Sequence, residues 1–254
     1  MTGVILKADG LVKRFRGVEA VRSVDLCVAA GEAVALIGPN GAGKTTCFNM
    51  IGGQLKPDAG RVRLEGQDMT GKPPRLLWRR GVGRSFQLTS AFASMTVREN
   101  VQVALNAKAG LLWRFVGRMG ESFKEEADAI LERVGMREQA QRPCAILAYG
   151  DLKRIELAIA LAGAPKLLLM DEPTAGMAPS ERVELMGLAA SLAKLDRIAV
   201  LFTEHDMDVV FAHADRIIVL DRGAILAEGR PEAIRADPAV RAVYLGAGLT
   251  RGAR

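Results

Sequence analysis

Two short stretches carry residue types that could do chemistry together. Gly38, Pro39, Asn40, Gly41, Ala42, Gly43, Lys44, Thr45 and Thr46 fill the pattern G-x-x-x-x-G-K-[ST], directly after the apolar run Ala33-Val34-Ala35-Leu36-Ile37. Backbone N–H groups in such a turn wrap phosphate oxygens, which then sit at the positive end of the helix that follows. In this pattern Lys44 reaches the outer phosphates and the Thr45 hydroxyl ligates magnesium, so the chemistry is nucleoside triphosphate binding. The second stretch, Leu167-Leu168-Leu169-Met170-Asp171-Glu172, is an apolar run ending in two carboxylates. Asp171 can hold magnesium through water and Glu172 can polarise an attacking water. Acidic residues also end strands for no chemical reason; beside the phosphate loop, this pair makes the second half of one site.

These residues need a parallel sheet to bring them to one edge. Buried strands are expected at 33–37, 166–172, 198–203 and 217–220, with helices between them at Ser180 to Leu195 and Asp206 to Ala214. In open α/β sheets ligands bind at the carboxyl ends of the strands, where both stretches emerge. The first 35 or so residues alternate apolar and polar positions and predict short antiparallel strands, joined later by Arg61-Val62-Arg63-Leu64. From about 95 to 165 the pattern turns helical, with Glu121 to Val134 and Leu152 to Leu161 as its clearest pieces. Short helices follow Pro231 and Pro238, and the end of the chain is polar.

Composition narrows the class. A chain of 254 residues with 49% hydrophobic content can bury one sizeable α/β core. Its three widely spaced cysteines, Cys27, Cys47 and Cys144, suggest neither a disulfide framework nor a zinc cluster and fit a reducing compartment. The N-terminal stretch lacks the apolar region of an export signal, and no apolar run reaches the roughly 18 residues of a membrane span. A net charge of +6 with 5% aromatics and scattered basic residues reads as a mildly basic solvated surface, without a nucleic-acid face.

The whole chain resembles the ATP-binding subunit of an ABC transporter. Besides the two stretches above, Gly83-Arg84-Ser85-Phe86-Gln87 is similar to the family's Q-loop, Leu147-Ala148-Tyr149-Gly150-Asp151 to its signature motif, and Thr203-Glu204-His205-Asp206 to its switch-histidine region. The resemblance implies that Gln87 ligates magnesium and contacts the nucleophilic water, and that His205 hydrogen-bonds the γ-phosphate. It implies that Phe15 stacks on adenine, and that residues 147–151 meet the phosphate held by an opposing subunit. On the residues alone, Gln87 also reads as a surface glutamine, Phe15 as a core side chain, and His213, inside a helical run, as structural. The signature departs from the common L-S-G-G-Q at Ala148, Tyr149 and Asp151, so the serine hydroxyl is missing while a helix from Leu152 keeps its dipole. Ala175-Gly176-Met177-Ala178 likewise lacks the usual D-loop aspartate.

LAYG, EHDM and the stretch Asp237 to Gly246 resemble the branched-chain amino acid importers within that family. The expectation is therefore an α/β fold: a P-loop NTPase core with a RecA-like parallel sheet, an N-terminal antiparallel β subdomain and an inserted α-helical subdomain. The chain divides into a core at 1–94 and 163–235, a helical signature subdomain at 95–162 and a tail at 236–254. The resemblance implies hydrolysis of ATP with Mg2+ on the cytoplasmic face of the inner membrane. It further implies a second, paralogous ATP-binding subunit, two transmembrane permease subunits and an extracytoplasmic solute-binding protein. A soluble ATPase working on nucleic acid or ribosomes, or a weakly hydrolysing regulatory cassette, is the alternative. Residues 108–118, basic, aromatic and apolar, read first as packed core with a solvated face, with a membrane-surface patch or a permease contact as the alternatives.

Overall fold

A computed structural model describes residues 3–85, 91–111 and 122–245. Ten strands are present among them: β1 (Val4–Phe15), β2 (Val18–Ala29), β3 (Ala33–Ile37), β4 (Ala59–Leu64), β5 (Gln67–Asp68), β6 (Val82–Ser85), β7 (Leu167–Asp171), β8 (Ala199–Thr203), β9 (Arg216–Asp221) and β10 (Ala224–Gly229). The helices are α1 (Lys44–Ile51), α2 (Pro74–Arg79), α3 (Val97–Lys108), α4 (Lys124–Arg133), α5 (Tyr149–Ala162), α6 (Pro179–Asp196), α7 (Met207–His213), α8 (Pro231–Ala236) and α9 (Pro238–Leu245).

The central sheet has the order β10-β9-β3-β8-β7-β6, parallel except for β10, which pairs antiparallel with β9. Its strands are continuous apolar runs because both faces are covered, as expected of a parallel sheet. Alternation assigns each residue to one of two cores. Ala33, Ala35, Ile37, Leu168, Met170, Val200 and Phe202 join helices α3 to α7 on one side. Val34, Leu36, Leu167, Leu169, Ala199 and Leu201 join α1 and the second sheet on the other. That second sheet, β2-β1-β4-β5, is antiparallel. Its β1 and β2 are long strands of 12 residues, carried past several register shifts, in place of the short ones the alternation predicted.

The helical portion packs Val97 and Val101 of α3, Ala127 and Leu131 of α4 and Ile155 of α5 into the first core. Its entry is fixed by a capping box in which the Thr96 hydroxyl accepts from the Glu99 N–H and the Glu99 carboxylate accepts from the Thr96 N–H. The sequence pattern placed the start of α5 at Leu152, but the helix begins at Tyr149 with Ala148 as its N-cap. Tyr149, Gly150 and Asp151 therefore form its first turn. Asp151 disguised this, since an acidic residue in a first turn favours a helix as readily as it ends a loop. The edge strands β5, β6 and β10 and the short helix α2 also went unread, being too short or too polar for a periodic signal.

Candidate functional site

The loop between β3 and α1 is shaped by glycines that no other residue could replace. At Gly38, with φ 153°, an added Cβ would stand 2.2 Å from the Leu220 carbonyl oxygen, and at Gly43, with φ 102°, one would stand 2.5 Å from that of Ala20. The loop is thus pressed against β9 and β2 while its residues 40–46 line a cleft of about 310 Å³. Phe15, Ala20, Glu172 and His205 complete the lining. Lys44, 7% exposed, folds back so that its Nζ donates to the carbonyl oxygens of Gly38 at 2.7 Å and Pro39 at 3.1 Å. Burial pulls the ammonium below the usual lysine range, and the charges of Glu172 and Asp171 act against that shift.

Phe15 is 46% exposed at the end of β1, which rules out the reading of it as a core side chain. Its ring faces the cleft's edge, with Lys13 Nζ 5.7 Å from the ring centroid.

Opposite the loop, the ends of β7 and β8 exchange polar contacts. The Thr203 hydroxyl, in a residue 1% exposed, donates to Asp171 Oδ1 at 2.8 Å and accepts from the Glu172 N–H at 3.0 Å. The same N–H reaches the Thr203 carbonyl at 3.1 Å. These contacts hold Glu172 at φ 49°, a left-handed conformation that costs a side chain with a Cβ about 1–3 kcal/mol. The carboxylate is thereby turned out of the strand line into the cleft, where Glu172 Oε1 lies 2.6 Å from His205 Nε2. Asp171, 6% exposed, stays behind, within 3.5 Å of Arg84 Nη2.

His205 is set by its neighbour. Buried Glu204 accepts through Oε1 from the Thr174 N–H at 2.9 Å and hydroxyl at 2.7 Å, and through Oε2 from the His205 N–H at 3.2 Å. The segment around Met177 is tied to the same corner, because Arg182 donates to the Met177 carbonyl at 2.9 Å and to Asp206 Oδ2 at 3.0 Å. At α6 the alanine at 178 leaves only half of a capping box, the Ala178 N–H donating to Glu181 Oε2 at 3.1 Å. His213 ends α7 against α6, and burial lowers its pKa.

The chain thus brings Phe15, residues 40–46, Glu172 and His205 to one cleft, with Lys44 inside the loop and Asp171 beneath it. Leu147, Ala148, Tyr149, Gly150 and Asp151 do not line it. Gln87 and residues 112–118 lie outside the described residues. A family model for the ABC transporter matches residues 21–175. The chain belongs to the ABC transporter family.

A second family model, for the branched-chain amino acid ATP-binding cassette transporter, matches residues 224–249 of this cassette. The cassette is 42% identical over 253 residues to the high-affinity branched-chain amino acid transport ATP-binding protein BraF of Pseudomonas aeruginosa, covering 97% of this chain and 99% of that one. It is equally similar, over the same lengths, to LivG of Escherichia coli K12. Among solved structures, an ATP-binding cassette of an ABC transporter in its ADP conformation superposes with a TM-score of 0.85 at 33% identity, covering 96% of this chain and all of that one. A nucleotide-free cassette gives 0.83 at 34% identity, with coverages of 95% and 98%. The cassette has the α/β P-loop fold of these neighbours. Among its described residues no helix is long and apolar enough to cross a membrane.

The oxygen donors suit magnesium. That ion takes one or two protein oxygens and fills its octahedron with phosphate and water. The Thr45 hydroxyl at the mouth of α1 and the Asp171 carboxylate at the end of β7 could supply such a pair. No larger cluster of His, Cys, Asp or Glu exists among the described residues to demand a different metal. Arg84, Thr174, Thr203 and Glu204 carry much of the geometry; Arg84, Thr203 and Glu204 lie within motifs the sequence shows, yet without a role of their own there, and Thr174 carries no signal at all. A buried threonine or arginine has no distinctive spacing, and its role exists only across paired strands.

Proposed function

We propose that this cassette hydrolyses ATP to power import of branched-chain or related amino acids. The observation that carries the reading is the Glu172–His205 pair, 2.6 Å apart and facing the phosphate loop across one cleft. The named relatives and the match at 224–249 support the substrate class.

In this reading Phe15 stacks on the base and the N–H groups of residues 38–46 hold the phosphates, with Lys44 swung from the Gly38 and Pro39 carbonyls onto the outer ones. Thr45, Asp171 and Gln87 hold Mg2+, which neutralises charge on the phosphate oxygens. Glu172 takes the proton of the attacking water. His205 orients that carboxylate and, with ATP bound, reaches the γ-phosphate. Residues 147–151 complete the site of an opposing cassette, the first turn of α5 turning its free N–H groups toward that phosphate. The assembly comprises a paralogous second ATP-binding subunit, two permease subunits and an extracytoplasmic binding protein, with this chain on the cytoplasmic membrane face. Residues 95–162 form its helical signature subdomain.

The test is the assembled transporter in proteoliposomes with labelled leucine. Wild type accumulates label with ATP; Glu172→Gln retains ATP, loses accumulation and hydrolyses about 10²–10⁴-fold more slowly, the range expected for loss of a general base. Unchanged turnover overturns the assignment of Glu172, and an absence of transport by wild type overturns the substrate class.

A further inference from the structure

Arg84 stands on β6, paired with Leu169 of β7 two residues before the strand's terminal aspartate. Its side chain is 14% exposed and, among the described residues, reaches acceptors on three separate pieces of chain. Nη1 donates to Gln54 Oε1 at 2.6 Å in the turn after α1, Nη2 donates to Asn49 Oδ1 at 3.0 Å on α1, and the same Nη2 stands 3.5 Å from Asp171 Oδ2. Asn49 follows Thr45 by four residues, so the two share a face of α1 and the guanidinium is anchored on that face one turn after Thr45. The two amides grip the cation at full hydrogen-bond distance and hold it just short of a close ion pair with the carboxylate. A fixed positive charge is thereby built beside the Asp171 carboxylate.

We propose that Arg84 is a resident counter-cation of Asp171, a positioning residue whose charge weakens the site's hold on a divalent metal while favouring the phosphates themselves. Burial reduces solvent screening, so a unit charge 3.5 Å from the Asp171 carboxylate acts strongly on any cation that carboxylate would hold. The same charge attracts the triphosphate, and the two effects have opposite sign. A merely structural arginine would, on removal, loosen both ligands together.

The inference rests on Asp171 as a metal residue, as proposed above. The full chain is titrated with Mn2+ in the presence of AMP-PNP, following free Mn2+ by electron paramagnetic resonance; AMP-PNP affinity is measured separately in EDTA by calorimetry. For Arg84→Met, Mn2+ is held about tenfold more tightly and metal-free AMP-PNP several-fold more weakly, while Arg84→Lys, which keeps the charge, stays near wild type on both. Unchanged Mn2+ affinity in Arg84→Met, or weakening of both ligands, overturns the proposal. Should Arg84→Met not fold, Gln54→Ala decides: on this exposed turn it frees the guanidinium to close on Asp171, and Mn2+ is then held more weakly, whereas an unchanged Mn2+ affinity overturns the proposal. Asp171→Asn tests the parent assignment independently, and an Mn2+ affinity equal to wild type there removes both readings.

Discussion

Replacing Thr203 by valine removes one oxygen atom and keeps the β-branched shape that suits the end of β8. In the folded protein that oxygen donates to the buried Asp171 carboxylate at 2.8 Å and accepts from the Glu172 N–H at 3.0 Å. The second contact has a substitute, because the N–H also reaches the Thr203 carbonyl at 3.1 Å. The first has none of equal length among the described residues, Arg84 Nη2 being 3.5 Å from the other carboxylate oxygen. A hydrogen bond to a charged group contributes about 1.5–3 kcal/mol, so the loss should be about 2 kcal/mol. At roughly 2–4 °C per kcal/mol for a chain of this size, Tm falls by about 4–8 °C in a calorimetric scan. Turnover should fall further than stability alone explains. Glu172 is held in the left-handed region by these contacts, and misplacement of a reacting group by an ångström can cost about 10²-fold. Thr203→Ser, which restores the hydroxyl, should recover both quantities. A valine variant that melts within about one degree of wild type and turns over ATP normally would refute the role given to this hydroxyl.

Two other substitutions probe the site from different sides. Phe15→Ala should weaken ATP and GTP alike by roughly 5- to 150-fold, since base stacking on an aromatic face is worth about 1–3 kcal/mol and reads no base edge; Phe15→Trp should retain affinity, and calorimetric titration with both nucleotides checks it, a normal affinity in the alanine variant refuting the stacking role. Glu204→Ala strips the acceptor from the Thr174 N–H and hydroxyl and from the His205 N–H, so the urea midpoint should drop by the equivalent of about 1–3 kcal/mol or more per buried donor left unpaired. An unchanged midpoint would mean that water or a rearranged loop satisfies these donors.

What could be read from the sequence is what local patterns encode. The phosphate loop is contiguous, and its glycines are dictated by its own backbone. The run ending at Asp171 and Glu172 declares a buried strand and its carboxyl edge together. Phe15 was left between stacking and core, because one aromatic in a β-rich stretch has no spacing that decides exposure; only its place at the end of β1, beside the cleft, does so. The bridges through Thr203, Glu204 and Arg84 were illegible for a different reason. Each joins residues about 30 or more positions apart, and no one-dimensional pattern distinguishes a threonine that spans two strands from one that fills a pleat.

The altered signature also takes on a physical meaning that its letters lacked. With α5 beginning at Tyr149, the substituted residues form its N-cap, Ala148, and part of its first turn, Tyr149 and Asp151, where N–H groups are free because no preceding carbonyl reaches them. The half-exposed Tyr149 ring lies against Gly176, close enough that a Cβ there would stand 3.4 Å from it, while Lys153 Nζ sits 5.4 Å from the ring centroid. Gly150 abuts Glu181, whose carboxylate holds the start of α6 through Ala178. The first turn of α5 is therefore braced on the segment 176–181, and Arg182 ties that segment to the corner carrying His205. Where the common motif places its first glycine, this chain places a ring that links the start of α5 to the segment before α6. In the proposed dimer the dipole and free amides of α5 face an opposing phosphate, and their position is set from within the chain by Tyr149.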